Sequence, residues 1–264
     1  MKNKIAICAV MALLFAPTVS NARWGMDFTA NNWKMDAKDL KTDKQSHENL
    51  RSLGWTMHTE LSQSSLGGEA RFFKEGNSPL SLGFAVGFGG MPDMNSNSGG
   101  SFGGSNAQQG LSSRAFYIPV DLYLKHTSKG GNFSVFGGAG ADYVRASTYY
   151  DASGSGGYWE KATFTQTKTV PHARAGCEFF LAKWISLDVG VKYVFSAIFD
   201  NLTGNLTGSA GVVPGKSRMI MKKFSYGETM DSKLTSATLG TGERPFKYDF
   251  SGLRATFGLK MYFN

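Results

Sequence analysis

Glu69 and Arg71 stand two residues apart, Asp121 and Lys125 four, Arg174 and Glu178 four, Asp188 and Lys192 four, and Arg254 and Lys260 six. Even separations place the members of each set on one face of a β-strand, because successive side chains alternate between faces. With Glu60 and Asp142, six acids meet six bases on the polar faces of segments whose other faces are apolar. Turned into the interior of a narrow barrel, such charges lose water and must pair. The expected network is Glu60, Glu69, Arg71, Asp121, Lys125, Asp142, Arg174, Glu178, Asp188, Lys192, Arg254 and Lys260. Fully paired, it closes a lumen; incompletely paired, it lines a narrow conduction path.

Other reactive types carry less. His126-Thr127-Ser128 places a base near a hydroxyl nucleophile, but acyl transfer also needs a third group to orient the base and a dry site. The pair falls in KHTSKGGN, a Lys- and Gly-rich turn, so no catalytic residue is assigned. His58 and His172 lie on polar strand faces without metal-ligand spacing and are expected to be satisfied by interior hydrogen bonds. No metal or cofactor is expected. Gly137-Gly138-Ala139-Gly140 lies within a strand and lacks the strand–loop–helix setting of a phosphate loop. Its small residues are expected to admit bulky interior neighbours or to aid packing against lipid, and Cys177 is expected to face lipid and be inert.

The elements that position these residues are strands. In the last fourteen residues, Leu253, Ala255, Phe257, Leu259, Met261 and Phe263 fall on one side and Gly252, Arg254, Thr256, Gly258, Lys260 and Tyr262 on the other. A helix would smear that pattern. The same alternation covers about 53–61, 66–73, 80–89, 116–124, 133–143, 172–179 and 185–195, giving eight strands. Short turns follow at 74–79, 125–132 and 182–183. Longer polar stretches cover 91–112, 147–166 and 199–248, the last with room for a hairpin around Ser217–Tyr226, which would make ten. Short turns on one side and long loops on the other are the pattern of an outer-membrane barrel. Residues 23–49 show no useful period beyond Trp24, Met26 and Phe28. They are open between a first strand, an extension and an interior plug.

The chain begins with Lys2 and Lys4, an apolar core from Ile5 to Phe15 and the small-x-small site Ser20-Asn21-Ala22, which predicts a signal peptide over residues 1–22. Its loss takes the formal charge from +8 to +6 and leaves Cys177 alone, so no intramolecular disulfide forms. Mean hydropathy is −0.23 and no later run suits a membrane helix. Alternating strands average to neutral hydropathy, so a membrane barrel remains open. Trp24, Trp55, Trp159, Trp184, Tyr143, Tyr193 and Tyr262 are candidates for interfacial belts.

The segments FYIPVDLYLKHTSKGGNFSVFGGAGADYVRA, VPHARAGCEFFLAKWISLDVGVKYVFS and LRATFGLKMYF resemble the outer-membrane β-barrel domain family, the group of the OmpA, OmpX and OmpW barrels. The shared features are an IP-x-x-x-Y strand, a GxGxxY strand, a G-x-E-F/Y hairpin and an aromatic terminal strand. The resemblance spans most of residues 50–264. It implies an all-β, antiparallel transmembrane β-barrel of eight strands, or ten, with short periplasmic turns and long extracellular loops. It implies residence in the outer membrane among lipid and lipopolysaccharide. It also implies recognition of Phe257, Leu259, Met261 and Phe263 by the barrel-assembly machinery. The family ends on an aromatic residue, whereas here Asn264 follows Phe263. Lipid A deacylases of similar architecture place asparagine after their His-x-Ser pair, and Lys129 stands there instead. The expected role is a non-enzymatic envelope protein. It displays loops 91–112, 147–166 and 199–248 to an unidentified extracellular ligand and makes no contact with nucleic acid. The alternative is a narrow OmpW-like channel for small or hydrophobic solutes.

Overall fold

A computed structural model describes residues 22–33, 37–64, 66–209, 212 and 214–263, apart from the Pro92 side chain. The expected leader lies outside these residues except for Ala22. In chain order the elements are β1 (Ala22–Trp33), α1 (Lys38–Arg51), β2 (Thr56–Gln63), β3 (Leu66–Gly76), β4 (Leu80–Phe102), β5 (Ser105–Thr127), β6 (Phe133–Gly154), β7 (Tyr158–Ala182), β8 (Ile185–Val194), β9 (Ile198–Phe199), β10 (Thr203–Gly208), β11 (Gly215–Phe224), β12 (Gly227–Leu234), β13 (Glu243–Pro245), β14 (Tyr248–Asp249) and β15 (Gly252–Phe263).

Every ladder is antiparallel. Neighbours run β7–β6–β5–β4–β3–β1–β15–β8, and β8 pairs with both β15 and β7, so eight strands form a ring. The first strand of the ring is β1, from the segment left open by the sequence, not the segment at 53–61. Fifteen strands are described, thirteen of them in one sheet. The expected eight or ten therefore falls short.

The surplus comes from the stretches expected to be loops. Residues 91–112 continue β4 and β5 into one tall hairpin that turns at Gly103 and Gly104, both at positive φ (56° and 84°). Residues 147–166 extend β6 and β7 in the same way. The segment 199–248 supplies β10 to β13, including the anticipated hairpin, which is β11–β12. Gly-, Ser- and Asn-rich composition reads as loop, but small side chains also suit a ladder that packs closely.

Above the ring the sheet runs β2–β4–β5–β6–β7–β10–β11–β12. Helix α1 bridges its two outer strands. It buries Asp39, Leu40, Asp43, Ser46, His47 and Leu50, spaced three or four apart. Toward β12, Ser46 Oγ donates to the Glu228 carbonyl (2.7 Å) and Asn49 Nδ2 to the Tyr226 carbonyl (2.9 Å). The Met230 amide donates to Asp43 Oδ1 (2.8 Å). Toward β2, Arg51 donates to the Met57 carbonyl. Arg244 adds a two-pronged contact to Asp39 (2.8 and 2.9 Å). The buried stripe of this helix is mostly polar because it satisfies the backbone of neighbouring strands, so hydrophobic periodicity does not find it.

The interior changes character with height. The upper half encloses an apolar core that includes Met94, Leu111, Tyr150, Phe164, Phe199 and Phe246. The lower half encloses charge. Two inward glycines make room there for large side chains. A Cβ on Gly83 would lie 2.2 Å from the Tyr123 ring, and one on Gly89 2.4 Å from the Tyr117 ring. Gly83→Ala should therefore destabilise the fold by about 1–3 kcal/mol through overpacking. Urea unfolding in detergent reads this; an unchanged midpoint would mean that the Tyr123 ring does not fill that space.

Candidate functional site

The interior of the ring is a connected set of ion pairs in tiers. Nearest the short turns, Lys125 Nζ lies 2.7 Å from both Glu75 and Glu178. It also donates to the Tyr262 hydroxyl at 2.8 Å. Arg23 reaches Glu75 at 3.4 Å. Phe73, Tyr123, Phe136 and Phe180 pack around this tier. Above it, Arg71 contacts Asp27, Glu69 (3.0 Å) and Asp121 (3.1 Å). Lys260 joins Asp188 (3.0 Å) to Glu178 (3.4 Å), and Arg174 lies 3.7 Å from Asp188. Higher still, His172 sits between Asp121 (2.5 Å) and Asp142 (3.1 Å). Lys192 links Asp142 (2.8 Å) to Glu69 (3.2 Å). The Tyr117 hydroxyl donates to Glu69 at 2.9 Å.

Eleven of the twelve expected charges are buried inside the ring. Glu60 is not. It lies on β2, beyond the ring, and pairs with His58 at 3.1 Å on an exposed face. The expectation assumed that polar faces point inward throughout. In the upper half the phase is reversed: Met57 and Thr59 are buried while His58 and Glu60 face water. Arg254 is inside but makes no ion pair among the described residues. Its guanidinium stacks 3.0 Å from the Trp33 ring centre and donates to the Phe250 carbonyl at 3.2 Å. It thereby joins the charged half to the apolar core above.

Sequence reasoning missed Asp27 and Glu75. Asp27 alternates with Met26 and Phe28, so strand pairing of β1 was the available clue. Glu75 was hidden in a stretch read as a turn. Tyr262, a belt candidate, is instead buried in the lumen, and Trp55 and Trp159 lie in the upper half. Trp24, Tyr143, Trp184 and Tyr193 are exposed on the ring or its turns.

The void beside Arg71, Phe73, Tyr123, Phe136, Arg174 and Lys260 holds only about 10 Å³, which is room for about one water. Buried ion pairs seldom add net stability over apolar packing, but removing one partner strands the other without water. The network therefore fills and specifies the lumen.

The outer wall carries the second half of the geometry. On β5, Phe116, Ile118, Leu122 and Leu124 are exposed, whereas above them Ser112 and Arg114 face out and Leu111 and Ala115 turn in. On β6 the switch falls between Tyr143, exposed, and Val144, buried; on β7 it falls at Pro171 and Val170. Register keeps these levels together: Ile118 pairs with Tyr143 and Ala141 with Pro171. On β4 the irregularity between Met91 and Met94 sits at the same height. Below that level the outward positions are mostly apolar, while Phe73, Tyr123 and Phe136 turn in; above it the core-forming apolar side chains face inward and Tyr149, Tyr158 and Trp159 stay exposed. The terminal strand contributes Leu253, Ala255, Phe257 and Phe263 to the outer face, with Leu259 and Met261 half-buried there.

His126 and Ser128 lie at the short-turn end, and no hydrogen bond joins them among the described residues. Cys177 is half-buried on the outward side of β7. No group of three His, Cys, Asp or Glu side chains able to hold a metal occurs among the described residues.

These features define an all-β antiparallel chain built on an eight-strand ring with a charged, filled interior and an apolar outer band. No family model matches the chain, and no curated protein matches it. Among solved structures it is similar to the outer membrane protein OprG from Pseudomonas aeruginosa, with 10% identity, 93% of this chain and 97% of that chain covered, and a TM-score of 0.39.

Proposed function

We propose that the chain is an outer-membrane β-barrel protein of a Gram-negative envelope, with a closed lumen. Its strand-built upper half faces the exterior as the working, ligand-contacting part. The observation that carries this reading is the reversal of the apolar face at one height around β4 to β7. A wall exposed to water has no use for a continuous apolar band, whereas a bilayer requires one. The nine positions from 116 to 124 match the roughly 9–11 residues that a tilted strand needs to cross the hydrocarbon. The short turns at 77–79, 128–132 and 183–184 then face the periplasm.

The closed reading draws on the paired charges of the lumen, on the small void beside Arg71 and Lys260 and on the apolar core stacked above. Planar-bilayer recording of the refolded chain tests it. A silent bilayer is expected, with heat-modifiable gel migration showing that the barrel has folded; discrete, reproducible openings would instead establish the channel alternative. The barrel performs no chemistry in this account. Ser128→Ala should leave lipid A acylation unchanged by mass spectrometry, and altered acylation would return the His126–Ser128 pair to consideration.

A further inference from the structure

The outer wall formed by β4, β5 and β6 has a vertical order of chemistries. Its continuous apolar band ends at Phe116 and Tyr143, with Tyr149 exposed higher on β6. Immediately above, Arg114 and Arg145 face outward and are exposed. Phe116 pairs with Arg145 and Arg114 with Ser147, so the arginines are diagonal neighbours on adjacent strands, about 7 Å apart. Among the described residues neither makes an ion pair or side-chain hydrogen bond. Asp93, in the β4 irregularity across from Arg114, makes no ion pair with it. The next cation along this height, Lys168, is already held by Asp200 at 3.0 Å. Two unpartnered guanidiniums side by side repel one another unless an anion lies between them, and guanidinium matches phosphate geometry well.

Higher on the same wall is an open hollow of about 400 Å³. Asn97, Gln108, Asp151, Ser153 and the paired His58 and Glu60 line it, and its floor is lowered at Gly99 and Gly110. A Cβ on Gly110 would lie 2.2 Å from Asp151 Oδ1, so the carboxylate lies over the glycine. Amide, carboxylate and hydroxyl groups on an open sheet face suit sugar hydroxyls, which both donate and accept. The hollow is centred six residues above Phe116, roughly 20 Å along the strand.

From the bilayer outward the wall thus offers an apolar surface, two cations with no partner among the described residues and a polar hollow. We infer that this face docks a phosphorylated glycolipid of the outer leaflet. Acyl chains lie against Phe116, Ile118 and Leu122, a phosphate is shared by Arg114 and Arg145, and sugar sits in the hollow. The site rests on the membrane reading given above.

The test uses the full refolded chain in detergent and measures binding of lipopolysaccharide, chemically dephosphorylated lipopolysaccharide and phosphatidylglycerol. The double variant Arg114→Ser/Arg145→Ser should bind lipopolysaccharide about tenfold or more weakly. Dephosphorylation should bring the unaltered chain down to the variant's level. Asn97→Ala/Gln108→Ala should weaken binding of lipopolysaccharide but not of lipid A stripped of its outer sugars. Equal binding by the arginine variant and the unaltered chain, both heat-modifiable, would overturn the site while leaving the barrel intact. An equal loss for phosphatidylglycerol would overturn the glycolipid assignment. A chain that fails to fold into vesicles at all would remove the membrane reading together with the site.

Discussion

Phe257→Lys should cost the folded barrel about 2–4 kcal/mol, the penalty for a lysine near the middle of a lipid-facing strand. Phe257 is 57% exposed on β15, opposite Val189 on β8 and Ala30 on β1. In water, a large exposed apolar side chain replaced by lysine is close to neutral. The large effect therefore belongs to the lipid. The measurement is reversible urea unfolding from vesicles, with Thr167→Lys as the control. Thr167 is outward-facing on β7 just above the band and should tolerate the change to within about 0.5 kcal/mol. Equal stability of both variants would contradict a bilayer on this wall.

Arg71→Met should destabilise by about 3–5 kcal/mol, because it leaves buried carboxylates without their cation. Arg71 is the shared partner of Asp27, Glu69 and Asp121, all of them buried. Neutralising one carboxylate in the same background, Asp27→Asn, should recover part of the loss, since one stranded charge is removed. Glu60→Gln should do little, because Glu60 is exposed outside the ring. A series in which Glu60→Gln costs as much as Arg71→Met would mean that the interior assignment is wrong.

The ring was readable where a strand is polar on its buried face and apolar on its exposed face, because period-two alternation is then unbroken. Seven of its eight strands, β3 to β8 and β15, follow the expected segments in their lower parts. The eighth, β1, was obscured because its alternation is short and merges into the polar sequence of α1. The upper half was unreadable for a different reason. There the core is inside, as in a soluble protein, so the polar face of β2 points to water. The rule that fits Arg71 and Asp121 fails for Glu60 within one chain. The charged interior was legible as a set of residues, but the pairing within it was not. Which carboxylate meets Lys125 depends on register and on Glu75, neither of which composition reveals.

The most direct test of the central claim is the depth of outward-facing side chains in a bilayer. Single cysteines at positions 122, 259, 112 and 163, in a Cys177→Ala background, would carry a fluorophore in vesicles whose acyl chains are brominated. All four positions lie on the outer side of the sheet. The account predicts strong quenching at 122 and 259 and little at 112 and 163, with the boundary near Phe116 and Tyr143. Uniform quenching at the four sites, or quenching confined to 112 and 163, would contradict it.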